Sequence, residues 1–352
     1  MWFARLTKLK PRERFLRALN GEATDLPAVG SPTSLATTDL MAATSCYFPE
    51  VHLDAEKMAR LAATAFEVLG YDAIAPYFSV VLEAAAMGAC VDWGDPGRMP
   101  TVQPSPVTGR HLYTQPEQIE IPADFLERRP ARTVLEALRL LRGRYGGEVA
   151  LVGKVFGPWT LAYHLFGLED TLILVLDDPE KLQRILERLA EITVRFGCAQ
   201  IAAGADCLTL ADHLTGDLCR AETYRVFLLP VHQRLARQLP APVMLHICGY
   251  TLDRMPDIAA SGFAGFHFDS KNEARPAVAA VGGRIRLIGN VNNPDTLYHA
   301  KLEQVDREVA DALAAGVAII APECAVPVTM DSRALCRIRE AARRDRPQKP
   351  GA

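Results

Sequence analysis

The chain has 352 residues, of which 49% are hydrophobic and 23% are charged. This length allows one large α/β domain or two smaller ones. A net charge of −3 at pH 7 gives no electrostatic reason to expect nucleic acid or an anionic membrane surface as a partner. Eight scattered cysteines favour a reducing compartment over a disulfide scaffold, and the sequence shows neither a signal peptide nor a membrane-spanning apolar run. We therefore expect a cytoplasmic protein.

Apolar spacing predicts a first helix at residues 11–19 and then eight strands, most of them separated by helices. The strands are expected at residues 25–30, 71–77, 149–156, 206–212, 243–247, 263–269, 284–291 and 317–321. Further helices are expected at residues 54–69, 133–145, 172–203, 221–238, 253–261, 274–281, 302–315 and 332–344. The stretch from 87 to 130 is rich in Gly and Pro, and we expect an irregular excursion with short strands there.

Eight alternating strand and helix units favour a closed (β/α)8 TIM barrel over an open sheet. An open doubly wound sheet usually carries a glycine-rich phosphate turn after an early strand. No G-x-G-x-x-G or G-x-x-x-x-G-K-[ST] run occurs in this sequence. We predict one barrel domain over residues 1–352, with an ordered core from 10 to 344.

The candidate site begins with a His-x-Cys pair at the end of the fifth strand. Residues two apart on a strand point the same way, so His246 and Cys248 share a face. Imidazole nitrogen and thiolate sulfur are the ligands that zinc takes most readily, and Cys324 follows the eighth strand. Barrel active sites lie where the strands end, so we expect the three side chains to meet there. Three protein ligands leave one position open for a substrate.

Each of these residues also has a structural interpretation, because a single His or Cys in an apolar strand is more often core than ligand. Asp212 and His213 follow the fourth strand and are candidates to orient a zinc ligand or the substrate; a helix cap or a surface pair is the alternative. Asn290 can hydrogen-bond a polar substrate or form a turn. Glu83 and Tyr163 are weaker candidates.

Several motifs together resemble those of one known superfamily. The run at residues 11–22 reads PRERFLRALNGE, residues 157–162 read GPWTLA, and residues 289–291 read GNV. With the His-x-Cys pair and the later cysteine, this pattern resembles the uroporphyrinogen decarboxylase superfamily over roughly residues 10 to 340. The zinc motif is similar to that of its methylcobamide:coenzyme M methyltransferases, which are corrinoid-dependent. The decarboxylase branch has Arg-Gln-Ala-Gly-Arg after the first strand, where this chain has GSPTS at residues 30–34.

The resemblance implies that His246, Cys248 and Cys324 are zinc ligands. Asp269 stands at an interval similar to that of an acidic residue in cobalamin-independent methionine synthase, which implies a fourth ligand; capping of the next helix is an equal alternative. The implied reaction moves a methyl group between a methylcorrinoid protein and a small thiol of the coenzyme M type, through a zinc-bound thiolate. The corrinoid, a methylcobamide, is expected on a partner protein, because this sequence has no Asp-x-His-x-x-Gly run.

Three alternatives stay open at this point. The same zinc barrel can act on the donor side, as an O-, S- or N-demethylase that delivers a methyl group to a Co(I) corrinoid. A second alternative is a uroporphyrinogen decarboxylase-like carboxy-lyase without a metal. The third is a non-catalytic zinc protein in which Asp269 closes the tetrahedron. The sequence leaves open the identity of the small molecule and whether the chain forms a homodimer.

Overall fold

The computed structural model describes residues 8–344, and most of its strands belong to one parallel sheet. The strands are β1 (Ala28–Val29), β2 (Ala73–Ile74), β3 (Cys90–Asp92), β4 (Thr101–Gln103), β5 (Ala150–Phe156), β6 (Cys207–Ala211), β7 (Val243–Ile247), β8 (Gly265–Phe268), β9 (Arg286–Val291) and β10 (Ile319–Pro322). The large sheet has the order β1-β10-β9-β8-β7-β6-β5-β2, while β3 and β4 form a separate antiparallel hairpin. All eight predicted barrel strands are therefore present.

The two ends of the large sheet are joined through Asp72, the residue just before β2. Its backbone N–H donates to the carbonyl of Val29 at 2.7 Å, and the N–H of Val29 donates to the Asp72 carboxylate at 2.9 Å. Arg14 and Arg343 donate to the same buried carboxylate at 2.8 and 2.7 Å. The sheet thus closes into the (β/α)8 TIM barrel that the alternating pattern predicted.

Helices surround the barrel and cover its outer face. They are α1 (Pro11–Asn20), α2 (Thr38–Thr44), α3 (Ala55–Glu67), α4 (Leu82–Met87), α5 (Arg129–Tyr145), α6 (Pro158–Phe166), α7 (Leu168–Asp177), α8 (Pro179–Ala202), α9 (Ala221–Thr223), α10 (Leu229–Gln238), α11 (Met255–Ile258), α12 (Ala274–Val281), α13 (Leu302–Ala315) and α14 (Arg333–Ala342). Single 3-10 turns lie at Glu50–Leu53, Pro116–Gln118 and Leu252–Arg254, and π turns at Tyr224–Leu228 and Asn293–Leu297.

The helix prediction missed three helices. The segment 172–203, predicted to supply helical segments, divides into α7 and α8 at Asp178, whose side chain accepts a hydrogen bond from the N–H of Lys181 and begins α8. Helices α2, α4 and α6 were not predicted. Most residues of α6 are buried, so it lacks the alternation of apolar and polar faces by which a surface helix is recognised.

Helix α1 closes the N-terminal end of the barrel. Phe15 and Leu19 of this helix pack into the barrel interior against Val152, Met244 and Ile288, all of them fully or almost fully buried. A tightly packed interior at this end leaves the opposite end, where the strands stop, as the place for a site.

The excursion predicted at residues 87–130 contains the β3–β4 hairpin and one 3-10 turn before α5 begins at Arg129. The single domain predicted over residues 1–352 stays a prediction, since residues 1–7 and 345–352 lie outside the described part of the chain. No single helix within residues 8–344 is long and apolar enough to cross a membrane; α6 and α7 reach that threshold only as a pair bent by 114°.

Candidate metal centre

Three side chains that could bind a metal converge at the C-terminal end of the barrel. Nε2 of His246 lies 3.0 Å from Sγ of Cys248 and 3.3 Å from Sγ of Cys324. The three donor atoms all lie within 4.8 Å of one another. His246 is the next-to-last residue of β7 and pairs with His267 of β8. Cys324 lies two residues after β10. The fold therefore brings together residues 78 positions apart in the chain.

The ring of His246 is oriented by the neighbouring strand. Its Nδ1 lies 3.3 Å from the backbone carbonyl of His267, and a carbonyl oxygen only accepts, so Nδ1 carries the proton. The lone pair of Nε2 then faces the two cysteines. His267 donates from its own Nε2 to the carbonyl of Pro322 at 2.7 Å, which ties β8 to the end of β10. Backbone contacts of this kind hold ligands in place in metal sites.

A hydrogen bond joins the thiol groups of Cys248 and Cys324 and shifts their pKa values in opposite directions. A hydrogen bond from the Cys248 thiol, together with the nearby His246, lowers the pKa of Cys324 well below its ordinary value, although burial opposes this. The same hydrogen bond and burial raise the pKa of Cys248. The two sulfurs thus differ in acidity, and thiolate is the form of cysteine that binds soft metals.

Asp269 lies beside the cluster but outside the group of three donors. Its Oδ2 accepts a hydrogen bond from the N–H of Gly249 at 2.8 Å, and its Oδ1 accepts one from the N–H of Lys271 at 2.9 Å. Gly249 has φ +82, a conformation that favours glycine, so Asp269 fixes the sharp turn that follows Cys248. Its proposed role as a fourth ligand stays a prediction.

Glu323, which sequence reasoning missed, holds the loops around Cys324. Its carboxylate accepts from the N–H of Ser270 at 3.0 Å and from the N–H of Asn293 at 2.9 Å. Burial raises the pKa of Glu323 to about 7. A glutamate directly before the last candidate ligand was the available sequence signal, but its partners lie on the loops after β8 and β9.

Asp212 and His213 follow β6 and point in opposite directions, as neighbours at the end of a strand do. Both carboxylate oxygens of Asp212 bond away from the candidate site, to the N–H of Thr160 at 2.8 Å and to Nε2 of His232 at 2.9 Å. His213 is half-buried, and its pKa is lowered by burial and then by the nearby His246. His213 therefore lies near the cluster, while Asp212 connects α6 with α10.

Asn290, in β9, supports the turn after Cys248 through a relay. Its Nδ2 donates to the carbonyl of Asn272 at 3.0 Å, and Asn272 in turn donates to the carbonyl of Gly249 at 3.0 Å. Asn290 also lines an open groove of about 1090 Å³ together with Asn292 and Ser270. Its side chain is thus placed to position the turn, with one face towards the groove.

A second group of side chains lies near the cluster, and we call it the inner pocket: the polar residues His52, Tyr77, Glu83 and Lys154 with the ring of Phe156. The carboxylate of Glu83 accepts from Tyr77 Oη and, at 2.9 Å, from the N–H of Phe156. Burial raises the pKa of Glu83 to about 7 and lowers that of Lys154 to about 8. Glu83 was a weak candidate from the sequence, and Lys154 was missed. A lysine inside a strand of apolar residues was the signal for it.

Tyr163, the other weak candidate, accepts a hydrogen bond from Nε1 of Trp159 within α6. It is half-buried, and burial raises its pKa. The same helix is bonded to the end of β6 through the N–H of Thr160, which donates to Asp212. Tyr163 therefore has a packing role within α6.

The donor set suits a borderline-soft metal. One imidazole nitrogen and two cysteine sulfurs match the ligand preferences of zinc and leave one tetrahedral position for a small molecule. The fold and this cluster define a class: TIM-barrel proteins with a candidate three-ligand metal centre at the end of the barrel where the strands stop.

Comparison with known proteins identifies the family within that class. A family model described as uroporphyrinogen decarboxylase (URO-D) matches residues 10–344, and the chain belongs to this family, as its motifs predicted. The chain is 33% identical over 322 residues to the methylated-thiol–coenzyme M methyltransferase of Methanosarcina mazei, covering 91% of this chain and 86% of the relative. It is 30% identical over 324 residues to a methylcobamide:CoM methyltransferase of Methanosarcina barkeri, with 90% and 93% covered.

A solved structure gives the same grouping. The structure of a methyltransferase from Methanosarcina mazei matches with a TM-score of 0.89 at 30% identity, covering 95% of this chain and 98% of the other. The resemblance to the methyltransferase branch, which the sequence motifs predicted, is confirmed over nearly the whole chain.

Proposed function

We propose that the chain transfers a methyl group between a methylcorrinoid, carried by a separate corrinoid protein, and the sulfur of a small thiol that binds at the cluster of His246, Cys248 and Cys324. The observation that carries this proposal is the convergence of one imidazole nitrogen and two sulfurs within 4.8 Å at the end of a barrel whose relatives are methyltransferases.

The chain is an enzyme of the corrinoid-dependent methyltransferase class, which agrees with the names of relatives that cover at least 90% of it. We further propose that the methyl acceptor is a small thiol, that a separate protein carries the corrinoid, and that the thiol binds at the cluster. The carrier protein is part of the proposal because this sequence lacks the Asp-x-His-x-x-Gly run of corrinoid-binding domains.

The three donors would hold zinc, and the rest of the site positions them. Bound zinc supplies the positive charge that keeps an incoming thiol deprotonated at neutral pH, where a free thiol is mostly protonated. The carbonyl of His267 fixes the ring of His246. Asp269 fixes the turn after Cys248, and Glu323 fixes the loops beside Cys324. Positioning of this kind reduces the entropy that must be lost when the reactants meet.

The proposed reaction is a substitution at the methyl carbon. The thiol loses its proton to solvent, its sulfur forms a bond to the methyl carbon, and the bond between carbon and cobalt breaks. Both electrons of that bond stay with the cobalt, which leaves as Co(I). Since the leaving group needs no proton, the site needs no general acid.

The remaining candidate residues take positioning roles in this proposal. His213 lies near the cluster and is placed to contact the bound thiol, while Asp212 holds the end of β6 through its bonds to Thr160 and His232. Asn290 supports the turn after Cys248 through Asn272. These are proposals from geometry, and they include no proton transfer.

One alternative has an observation in its favour. The relative from Methanosarcina mazei is named for methylated thiols, which supports the donor-side reaction in which a thioether delivers its methyl group to a Co(I) corrinoid. The carboxy-lyase alternative has less support, because the segment 30–34 that follows β1 contains no arginine to bind the carboxylates of a porphyrinogen.

The proposal is tested by zinc content and X-ray absorption at the zinc edge, with and without a thiol, beside an assay of methyl transfer from methylcobalamin. We expect about one zinc per chain with two sulfur ligands, and a third sulfur when the thiol is added. Cys324→Ala should lose one sulfur ligand and the activity. Cys198→Ala is the matched control, because this half-buried cysteine lies on α8, away from the cluster.

Other results would redirect or overturn the proposal. If a thioether, and not a thiol, changes the zinc environment and methylates Co(I) cobalamin, the donor-side reaction replaces it. If the purified protein contains no zinc and takes up none on supplementation, both methyl-transfer versions with a zinc centre are wrong.

A further inference from the structure

Lys154 of the inner pocket is a buried cation for which the described part of the chain, residues 8–344, provides no hydrogen-bond partner. Only 4% of its surface is exposed, and within residues 8–344 its Nζ has no hydrogen bond and no carboxylate within 4.0 Å. Its backbone is paired with Gln200, so the side chain alone is unsatisfied. Burial of an unpaired ammonium is costly, and proteins rarely retain one without a use for it.

Two aromatic rings and a carboxylate that already accepts hydrogen bonds from other groups lie near this ammonium. Nζ lies 4.6 Å from the ring centre of Tyr77 and 5.4 Å from that of Phe156, contacts that stabilise a cation but use none of its three N–H donors. Glu83, the nearest acid that affects Lys154, is engaged by Tyr77 Oη and the N–H of Phe156. The donors of Lys154 are therefore free for a further group.

Lys154 lies on the same face of the barrel wall as the cluster. Ala150 and Val152 of β5 point into the barrel interior, so Lys154, at the same parity, points inward too. Met244 of β7 points inward, and His246 shares its parity. The two cysteines of the cluster are close enough to raise the pKa of Lys154 against the opposing effect of burial.

His52 adds a second unpaired polar group to the inner pocket. It is fully buried, and neither ring nitrogen has a hydrogen-bond partner among the described residues. Burial and the charge of Lys154 lower its pKa to about 3, so its ring is neutral and carries one N–H donor. The pocket thus has one cation and one neutral donor, and its one carboxylate is already hydrogen-bonded.

We propose that Lys154 binds the negatively charged end of the small substrate, a short thiol or thioether with a sulfonate or carboxylate group, while the sulfur of that substrate lies at the cluster. The inference rests on the proposed function for the sulfur end. The anionic end depends only on the inner pocket and can be tested separately.

Two physical features favour an anion over a neutral group. An oxyanion can accept from several of the free N–H donors at once, and such charge-assisted bonds are stronger than neutral ones. The aromatic and buried surroundings limit the water around Lys154, so that its charge is less screened than that of a surface lysine.

The first test uses ethanesulfonate, which has the anionic end but no thiol, in isothermal calorimetry with the protein as purified. We expect binding to the wild type and a dissociation constant about 10- to 100-fold higher for Lys154→Met, the loss typical of a hydrogen bond to a charged group. Methionine has a similar shape and no charge. Thermal unfolding of this variant should be unchanged or shifted upwards, since an unpaired buried charge has been removed.

Lys271→Met is the matched control. Lys271 carries the same charge but is exposed, and it already pairs with Asp217 at 2.9 Å. This substitution should change ethanesulfonate binding less than about twofold, because solvent screens exposed charges. Equal effects of the two substitutions would mean that only the overall charge of the protein matters, and that result would overturn the proposal.

The second test compares methyl transfer to 2-mercaptoethanesulfonate and to the neutral 2-mercaptoethanol. In Lys154→Met, kcat/KM should fall for the anionic thiol and stay within about threefold for the neutral one. Absence of ethanesulfonate binding to the wild type, or equal binding to Lys154→Met, would refute the role of Lys154. Binding that depends on Lys154 without any methyl transfer would leave the anion site in place and refute the proposed reaction.

Discussion

Glu83 offers a quantitative test of the inner pocket, through the substitution Glu83→Gln. The ordinary pKa of a glutamate, 4.5, rises to about 7 at Glu83, mainly because burial removes water from the carboxylate. One pKa unit corresponds to about 1.4 kcal/mol, so that ionisation of Glu83 above neutral pH costs the folded protein up to roughly 3 kcal/mol. Glutamine has the same shape and no charge, and it avoids this cost.

Whether Glu83 stabilises or destabilises the fold as the pH rises depends on which state, folded or unfolded, binds the proton more tightly. Below pH 4.5 the carboxyl is protonated in the folded and unfolded chain alike. Between pH 4.5 and about 7 the unfolded chain releases the proton and the folded chain keeps it, so the contribution of Glu83 to stability falls as the pH rises. Glu83→Gln should therefore gain stability relative to the wild type across this range.

The assay is urea unfolding of both proteins from about pH 5 to about pH 7.5, where the difference between their free energies of unfolding cancels the titration of groups that do not interact with Glu83. This range lies below the pKa of about 8 of Lys154. The substitution also alters the hydrogen bond from Tyr77, which adds a nearly constant offset of about 1 kcal/mol. A difference that does not change with pH would refute the reasoning.

Two further predictions concern Asp72, which joins the two ends of the barrel sheet, and the fourth position of the metal site. Asp72→Ala should destabilise the protein by roughly 3–5 kcal/mol in urea unfolding, because Arg14 and Arg343 lose a buried partner. The control is Asp124→Ala, which removes an exposed pair with Arg128 and should cost no more than about 1 kcal/mol. Equal losses would contradict the role of Asp72 in closing the barrel. Asp269→Asn should keep the zinc content and the X-ray absorption spectrum of the wild type, since both carboxylate oxygens already accept backbone N–H groups; loss of an oxygen ligand would instead identify Asp269 as the fourth ligand.

The sequence was sufficient where structure follows from a local repeat. Buried strands appear as short apolar runs and surface helices as apolar residues three and four apart, so all eight barrel strands and most surface helices were found. The two-residue period of a strand also placed His246 and Cys248 on one face, and the rule that barrel strands end at a common mouth connected them with Cys324. Helix α6 was missed because a buried helix has no polar face to produce a repeat.

By itself, then, the sequence determined the barrel, the three converging donors and the family, because each is encoded by periodicity or by a motif of contiguous residues. Only the tertiary structure decided which side chains bond to which. It turned Asp212 away from the cluster towards His232, joined Asp72 to Arg14 and Arg343, and assembled Tyr77, Glu83 and Lys154 into one pocket. Such pairings depend on the position of strands and loops in space, and residues far apart in the chain carry no local pattern that records them.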